Sequence, residues 1–229
     1  MKIGIIGDLH EPFVHPLYLR FCLDIFDSWG VEKIHFIGDI VDNHAISFHK
    51  SETVAYGSHR EGELAEQGVA RWYKTFPRAT VSIGNHDELP DRIAQEVNLP
   101  PRFLRTYQEA WKTPNWDWKF SHNFDGTRLQ HGTKTSGKDA AINQALQRRT
   151  SLAQGHIHGW ASVKWHCNDD DRIFGMNVGC GIDVDAYSMR YGKDFANRPV
   201  LACGVIIDGH PYLEAMPCGP GEKYHRSRA

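Results

Sequence analysis

The chain has 229 residues, 41% hydrophobic and 24% charged, with 26 Lys and Arg against 28 Asp and Glu for a formal net charge of −2. That balance argues against a surface built mainly to hold nucleic acid, which takes a basic excess. The length allows one large domain to bury most of its apolar surface without disulfide or metal staples.

Lys2 to Gly7 is almost continuously apolar and predicts a strand covered on both faces. Tyr18, Phe21, Cys22, Ile25, Phe26 and Trp29 then recur at helical spacing, with Gly30 placed to end the helix. Lys33 to Gly38 predicts a second strand, so the opening resembles a β-α-β unit with a parallel pair. Residues 43–58 read as a loop. A helix is expected from His59 to Phe76, stopped by Pro77, and a strand from Ala79 to Ile83. A short helix is expected near Asp91 to Val97, a strand at Thr127 to Gln130, and a helix from Gly137 to Arg149. Further strands are expected at 151–155, 161–166, 172–178, 200–207 and 211–216. The expectation is a single domain over residues 1–218 with a polar C-terminal tail at 219–229.

No run approaches the roughly 18 apolar residues of a membrane span, and Met1 to His10 turns polar too soon for a signal peptide. Five cysteines are scattered without a CxxC pair. They read as reduced, mostly buried thiols of a cytoplasmic protein.

Polar residues collect where the predicted strands end. The first strand runs into Asp8 and His10, the second into Asp39 and Asp42, the third into Gly84-Asn85-His86-Asp87. The strand at 127–130 runs into His131, and the one at 151 into Gly155-His156-Ile157-His158. Ligands of α/β sheets bind outside the carboxyl ends of the strands. Residues two apart on a strand share a face, so His156 and His158 are both expected to aim at one ligand region. Asp8, His10, Asp39, Asn85, His131, His156 and His158 make seven O and N donors. That is too many for one zinc site, whereas two metals sharing a bridging carboxylate fit. Mixed imidazole and carboxylate donors suit Mn, Fe, Zn, Co or Ni more than Ca or Mg.

The ordered set Gly7-Asp-Leu-His10, Gly38-Asp-Ile-Val-Asp42, Gly84-Asn-His-Asp87, His131-Gly132 and Gly155-His-Ile-His158 resembles the calcineurin-like metallophosphoesterase superfamily. The resemblance spans residues 7–158 and implies a four-layer α/β/β/α sandwich, with the strand-rich stretch 151–216 supplying the second sheet. It implies two divalent transition-metal ions, manganese favoured. Asp8, His10, Asp39 and His158 would hold the first; Asn85, His131 and His156, with Asp39 bridging, the second. His86 would act on the phosphoryl oxygen or leaving group, and Asp42 would orient His86 through a hydrogen bond. The implied activity is hydrolysis of a phosphodiester or a nucleotide-like phosphomonoester by metal-activated hydroxide. A DNA exonuclease or end-processing nuclease is the alternative, and a non-catalytic protein-binding scaffold a further one. The implied partner is a phosphate-ester substrate, a nucleotide or nucleic acid among the options, with no membrane.

The chain departs from its phosphoprotein-phosphatase branches. Asn43, followed by His44, stands where those carry arginine, and Asn177-Val-Gly-Cys-Gly181 replaces the usual proline-and-serine turn. Gly132 to Asp139 nearly matches a nucleotide P-loop, but Asp139 stands in place of the metal-holding hydroxyl. Lys134 and Lys138 there are candidate phosphate contacts, as are Asn85 and His44. His49 and Arg60 are further candidates for the site mouth. Trp111, Trp116 and Trp118 read as packing residues rather than a base-stacking platform, and Asp169-Asp-Asp171 as a hairpin turn.

Overall fold

The computed structural model describes residues 1–47, 56–183 and 198–217. His49, Cys218 and the expected tail lie outside them. In chain order the elements are β1 (Lys2–Ile6), α1 (Tyr18–Trp29), β2 (Lys33–Phe36), α2 (Ser58–Thr75), β3 (Ala79–Ser82), α3 (Leu89–Glu96), α4 (Tyr107–Ala110), β4 (Trp116–Lys119), β5 (Ser121–Phe124), β6 (Thr127–Gln130), α5 (Ala140–Arg148), β7 (Ser151–Gln154), β8 (Ser162–Cys167), β9 (Arg172–Asn177), β10 (Ala202–Ile207) and β11 (His210–Ala215). One sheet has the order β11-β10-β1-β2-β3-β4 and the other β5-β6-β7-β9-β8.

Three apolar layers hold four structural layers together. Tyr18, Phe21 and Phe26 of α1 and Val69 and Trp72 of α2 pack with Phe36, Val81 and Trp116 on the outer face of the first sheet. Ile3 and Ile5 point the other way and meet Leu129, Ala153, Phe174 and Met176 of the second sheet. Ala141 and Ala145 of α5 close the far side against Leu152 and Ile173. This is the expected α/β/β/α arrangement. Each large side chain buried in full contributes about 1.5–3 kcal/mol, so the outer layer, with its tryptophans and phenylalanines, carries much of the stability.

The expected origin of the second sheet needs correction. β10 and β11 do not join it. β10 pairs antiparallel with β1, and β11 with β10. The second sheet instead draws β5 and β6 from the stretch before residue 131. β10 is apolar and almost wholly buried along its length, a pattern that suits a central strand of either sheet, and only its register against β1 assigns it to the first. β4, β5 and α4 were not anticipated. The sequence of β4, Trp-Asp-Trp-Lys, alternates buried and exposed, a period of two that identifies a strand. Trp116 and Trp118 are core residues whose indole N–H groups donate to the Phe76 carbonyl and the Thr113 hydroxyl. Asp169 to Asp171 do form a hairpin turn, with the Asn168 side chain accepting the amides of Asp170 and Asp171.

Candidate functional site

Parallel strands β1, β2 and β3 lie side by side, so the loops after them open at one edge of the sheet. Asp8, Asp39 and Asn85 come together there. β6 and β7 are also parallel and bring His131 and the 155–160 loop to the same place from the second sheet.

The backbone around these residues is strained. His10, Asp39, Asn43 and His156 all adopt positive φ, at 52°, 46°, 50° and 68°. Non-glycine residues pay for that conformation, and such strain persists where surrounding structure over-determines it. Two glycines make room for the carboxylates. A Cβ on Gly84 would sit 2.1 Å from Asp39 Oδ1, and one on Gly155 would sit 2.0 Å from Asp8 Oδ1.

Within this framework the donor atoms form overlapping groups. Asp8, His10, Asp39 and His158 offer ligand atoms that all lie within 4.8 Å of one another, as do Asp39, His131 and His156. Asp39 belongs to both. Its Oδ2 is 3.1 Å from His131 Nε2 and 3.4 Å from His10 Nε2. Asn85 Oδ1 lies 3.0 Å from His131 Nε2, beside the second group. His156 and His158 therefore fall into different groups. Strand geometry is not what separates them, because β7 stops at Gln154. The left-handed turn at His156 sends its ring to within 5.1 Å of His131, while His158 packs 5.0 Å from His10.

The donor chemistry fits cations. Among the described residues Asp8 Oδ1 and His10 Nε2 are buried without hydrogen-bond partners, an arrangement that costs free energy unless something positive meets those lone pairs. Backbone and carboxylate contacts also set the tautomers. His10 Nδ1 is 2.6 Å from Asp42 Oδ1, and His131 Nδ1 is 3.3 Å from the Ile37 carbonyl. Each Nδ1–H donates outward and leaves Nε2 turned inward, the pattern of histidines that hold metal. The carboxylates govern the electrostatics. Burial alone would raise the Asp39 carboxyl, but His131, His86 and His10 outweigh it and hold it well below the usual range. Burial opposes charge on His131 as well, yet Asp39 and Asp8 raise it to about 9. His156, half-buried and next to His131, falls to about 4.

His86 sits at the rim, partly exposed, its ring 4.6 Å from His10. Its Nδ1 lies 2.6 Å from the Asp42 backbone carbonyl and 3.5 Å from Asp42 Oδ1. The expectation that the Asp42 carboxylate orients His86 is thus altered: that carboxylate bonds His10, and a main-chain carbonyl holds His86. The loop geometry accounts for this, since Asn43 in the left-handed conformation donates its Nδ2 to the His86 carbonyl and draws the backbone of 42–43 against His86.

Of the other candidates, His44 is buried, its Nδ1 3.9 Å from Asp42 Oδ2 and its amide on Glu61 Oε1, so it backs the site rather than facing its mouth. Arg60 pairs with Glu63 on the exposed face of α2. Lys134 and Lys138 are exposed in the turn between β6 and α5. The P-loop likeness breaks down there, since α5 starts only at Ala140.

Two buried carboxylates were missed. Asp87 Oδ1 accepts the amides of Ile40 and Val41, and its Oδ2 that of Gly84, tying two donor loops together. Burial and the nearby Asp39 raise Asp87 to about 7. Glu61 of α2 caps the amides of His44 and Ala45. Asp87 was visible as the fourth residue of the Gly84 motif; Glu61 gave no local signal.

A two-sheet sandwich with a buried carboxylate–imidazole cluster at its strand ends defines a metallophosphoesterase fold. The chain belongs to the calcineurin-like phosphoesterase family, whose family model matches residues 1–182. Among curated proteins no sequence matches it. Similar solved structures are distant. Vps29 from Chaetomium thermophilum is 10% identical with a TM-score of 0.48, over 98% of this chain and 90% of that one. YfcE, a phosphoesterase from E. coli, is 14% identical with a TM-score of 0.46, over 90% and 88%. Wild-type Vps29 complexed with zinc, from Entamoeba histolytica, is 14% identical with a TM-score of 0.46, over 96% and 95%. Among the described residues no helix is long and apolar enough to cross a membrane.

Proposed function

We propose that the protein is a cytoplasmic, binuclear metal-dependent phosphoesterase that cleaves a phosphodiester or a nucleotide-like phosphomonoester. The observation that carries this reading is Asp39, whose carboxylate belongs at once to the Asp8–His10–His158 group and to the His131–His156 group. Asp8, His10, Asp39 and His158 would hold one divalent cation, and Asp39, Asn85, His131 and His156 the other. When bound, such a pair supplies an activated water and a clamp for phosphoryl oxygens.

The remaining work falls to the chain's own residues. A carbonyl only accepts hydrogen bonds, so the contact with Asp42 O requires the proton on His86 Nδ1. His86 Nε2 is left to face the substrate, where it meets a phosphoryl oxygen or, once protonated, delivers a proton to the leaving oxygen. Burial lowers the His86 pKa, which keeps the ring neutral at rest and makes it a stronger acid when charged. Asp42 fixes His10, and Lys134 and Lys138, exposed in the turn after His131, would meet further phosphate groups of a longer substrate.

The test is a panel of phosphate esters against Mn-, Ni- and Zn-loaded protein: nucleotides, cyclic nucleotides, aryl diesters and labelled oligonucleotides. Metal-dependent cleavage is expected, with His86→Ala retaining metal and losing roughly 10²–10⁴-fold in rate. No cleavage at any metal loading would overturn the reading, and preference for DNA would convert it to a nuclease.

A further inference from the structure

At the end of the sandwich away from the donor loops, a cavity of about 530 Å³ opens where β2 and β3 begin. Lys33, Arg78, Glu32, Thr80, Asn115 and Phe124 are among the residues that line it. Its volume is that of small-molecule sites, which run roughly 300–1,000 Å³. The strands between it and the metal-ligand candidates are four residues long, a separation of roughly 13 Å, so it is a different place from the site described above.

Three observations give the cavity a chemical character. Neither Lys33 nor Arg78 forms an ion pair among the described residues, and the acidic Glu32 has its Oε2 directed to the Lys2 amide, at 3.4 Å. Two cations, Lys33 and Arg78, thus stand against one carboxylate, Glu32, among the described residues that line the cavity. Phe124 supplies an apolar ring, and Lys33 Nζ lies over it, 5.6 Å from its centroid, so the ammonium and the aromatic ring form one surface. Behind this wall the interface between the sheets turns polar. His35 Nδ1 lies 2.8 Å from the Thr80 hydroxyl and His35 Nε2 3.1 Å from Ser82 Oγ. His122 Nε2 lies 3.1 Å from the Val81 carbonyl, and the two imidazoles are 5.4 Å apart. A polar layer between two sheets is an exception to apolar packing, and Thr80 connects it to the cavity. Burial holds both imidazoles below their usual pKa, which favours their neutral form.

We infer that this cavity binds a small organic anion bearing a phosphate or phosphonate on a flat ring, the anion between Lys33 and Arg78 and the ring against Phe124. Such a ligand matches both the excess of positive charge and the adjacent apolar wall.

The probe is phenylphosphonate, which has no ester bond to cleave, titrated into the Zn-loaded full-length chain while histidine ring signals are followed by NMR. His35 and His122 are the reporters for the cavity, His131 and His156 for the metal-ligand cluster. Saturable shifts of His35 and His122 are expected. Lys33→Ala with Arg78→Ala should weaken that response at least about tenfold and leave both the His131 and His156 response and phosphoesterase activity unchanged. Phe124→Leu should bring the affinity for phenylphosphonate down to that for inorganic phosphate. Unmoved His35 and His122 signals, an equal response in the double variant, or equal affinity of the unaltered chain for inorganic phosphate would overturn the inference.

Discussion

The Asp42 carboxylate bonds His10, with 2.6 Å between Oδ1 and Nδ1. The hydrogen bond that orients the rim histidine comes from the main chain of the same residue. Asp42→Asn should therefore act chiefly through His10. It loses the charge that fixes the His10 tautomer, while the carbonyl holding His86 remains. The expected result is metal affinity down roughly 10–100-fold, with the rate at saturating metal far less affected. Metal titration followed by kinetics at full loading separates the two. A variant with unaltered metal binding and a lost rate would assign the carboxylate to His86 after all.

Room for the carboxylates is a second point of leverage. Gly84→Ala would place a methyl carbon 2.1 Å from Asp39 Oδ1. Real Cβ atoms do not approach so closely, so Asp39 or the 84–87 loop must shift. Because Asp39 belongs to both donor groups, the expected outcome is loss of both metals in a chain that still folds. Metal analysis alongside circular dichroism checks this.

Asp87 ties the two loops by accepting three amides. Asp87→Ala would leave those amides without partners in a buried setting, at about 1–3 kcal/mol for each one that stays unsatisfied. Denaturant unfolding should register a loss of several kcal/mol. Asp87→Asn, which keeps an acceptor oxygen, should recover part of it. Equal stability of the alanine variant would mean water replaces the side chain.

The metal-free protein should lose stability as pH rises from about 6.5 to 9. His131 has its folded pKa raised to about 9, and His10 is also raised well above the usual value, Asp39 and Asp42 outweighing its burial. A histidine with a raised folded pKa stabilises fully below its unfolded value near 6.5. That contribution is lost as pH climbs through the folded value, at about 1.4 kcal/mol per pH unit for each group. Bound metal would take the place of those protons and remove the slope. Melting temperatures with chelator and with metal, from pH 6 to 9.5, test the sign; a metal-free protein that becomes more stable towards pH 9 would contradict it.

The local signals carried a large part of the fold. Apolar runs, helical spacing and the Gly30 stop placed β1, α1 and β2, and a single ordered set of Asp, Asn and His residues picked out the donors that lie together among the described residues. These are short-range properties: period, capping and motif order are written in neighbouring residues. The pairing of β10 with β1 is not, because residues 3 and 206 meet across the whole chain and an apolar strand reads the same whichever sheet it joins. The Asp42 carboxylate was expected to bond His86, and the folded backbone, with left-handed turns at His10 and Asn43, instead brings His10 within 2.6 Å of it. Composition and motif order thus determined which residues gather at the strand ends. Only the tertiary structure decided which atom of each faces which neighbour, because hydrogen-bond geometry changes over a few tenths of an ångström and depends on backbone turns that residue identity alone does not specify.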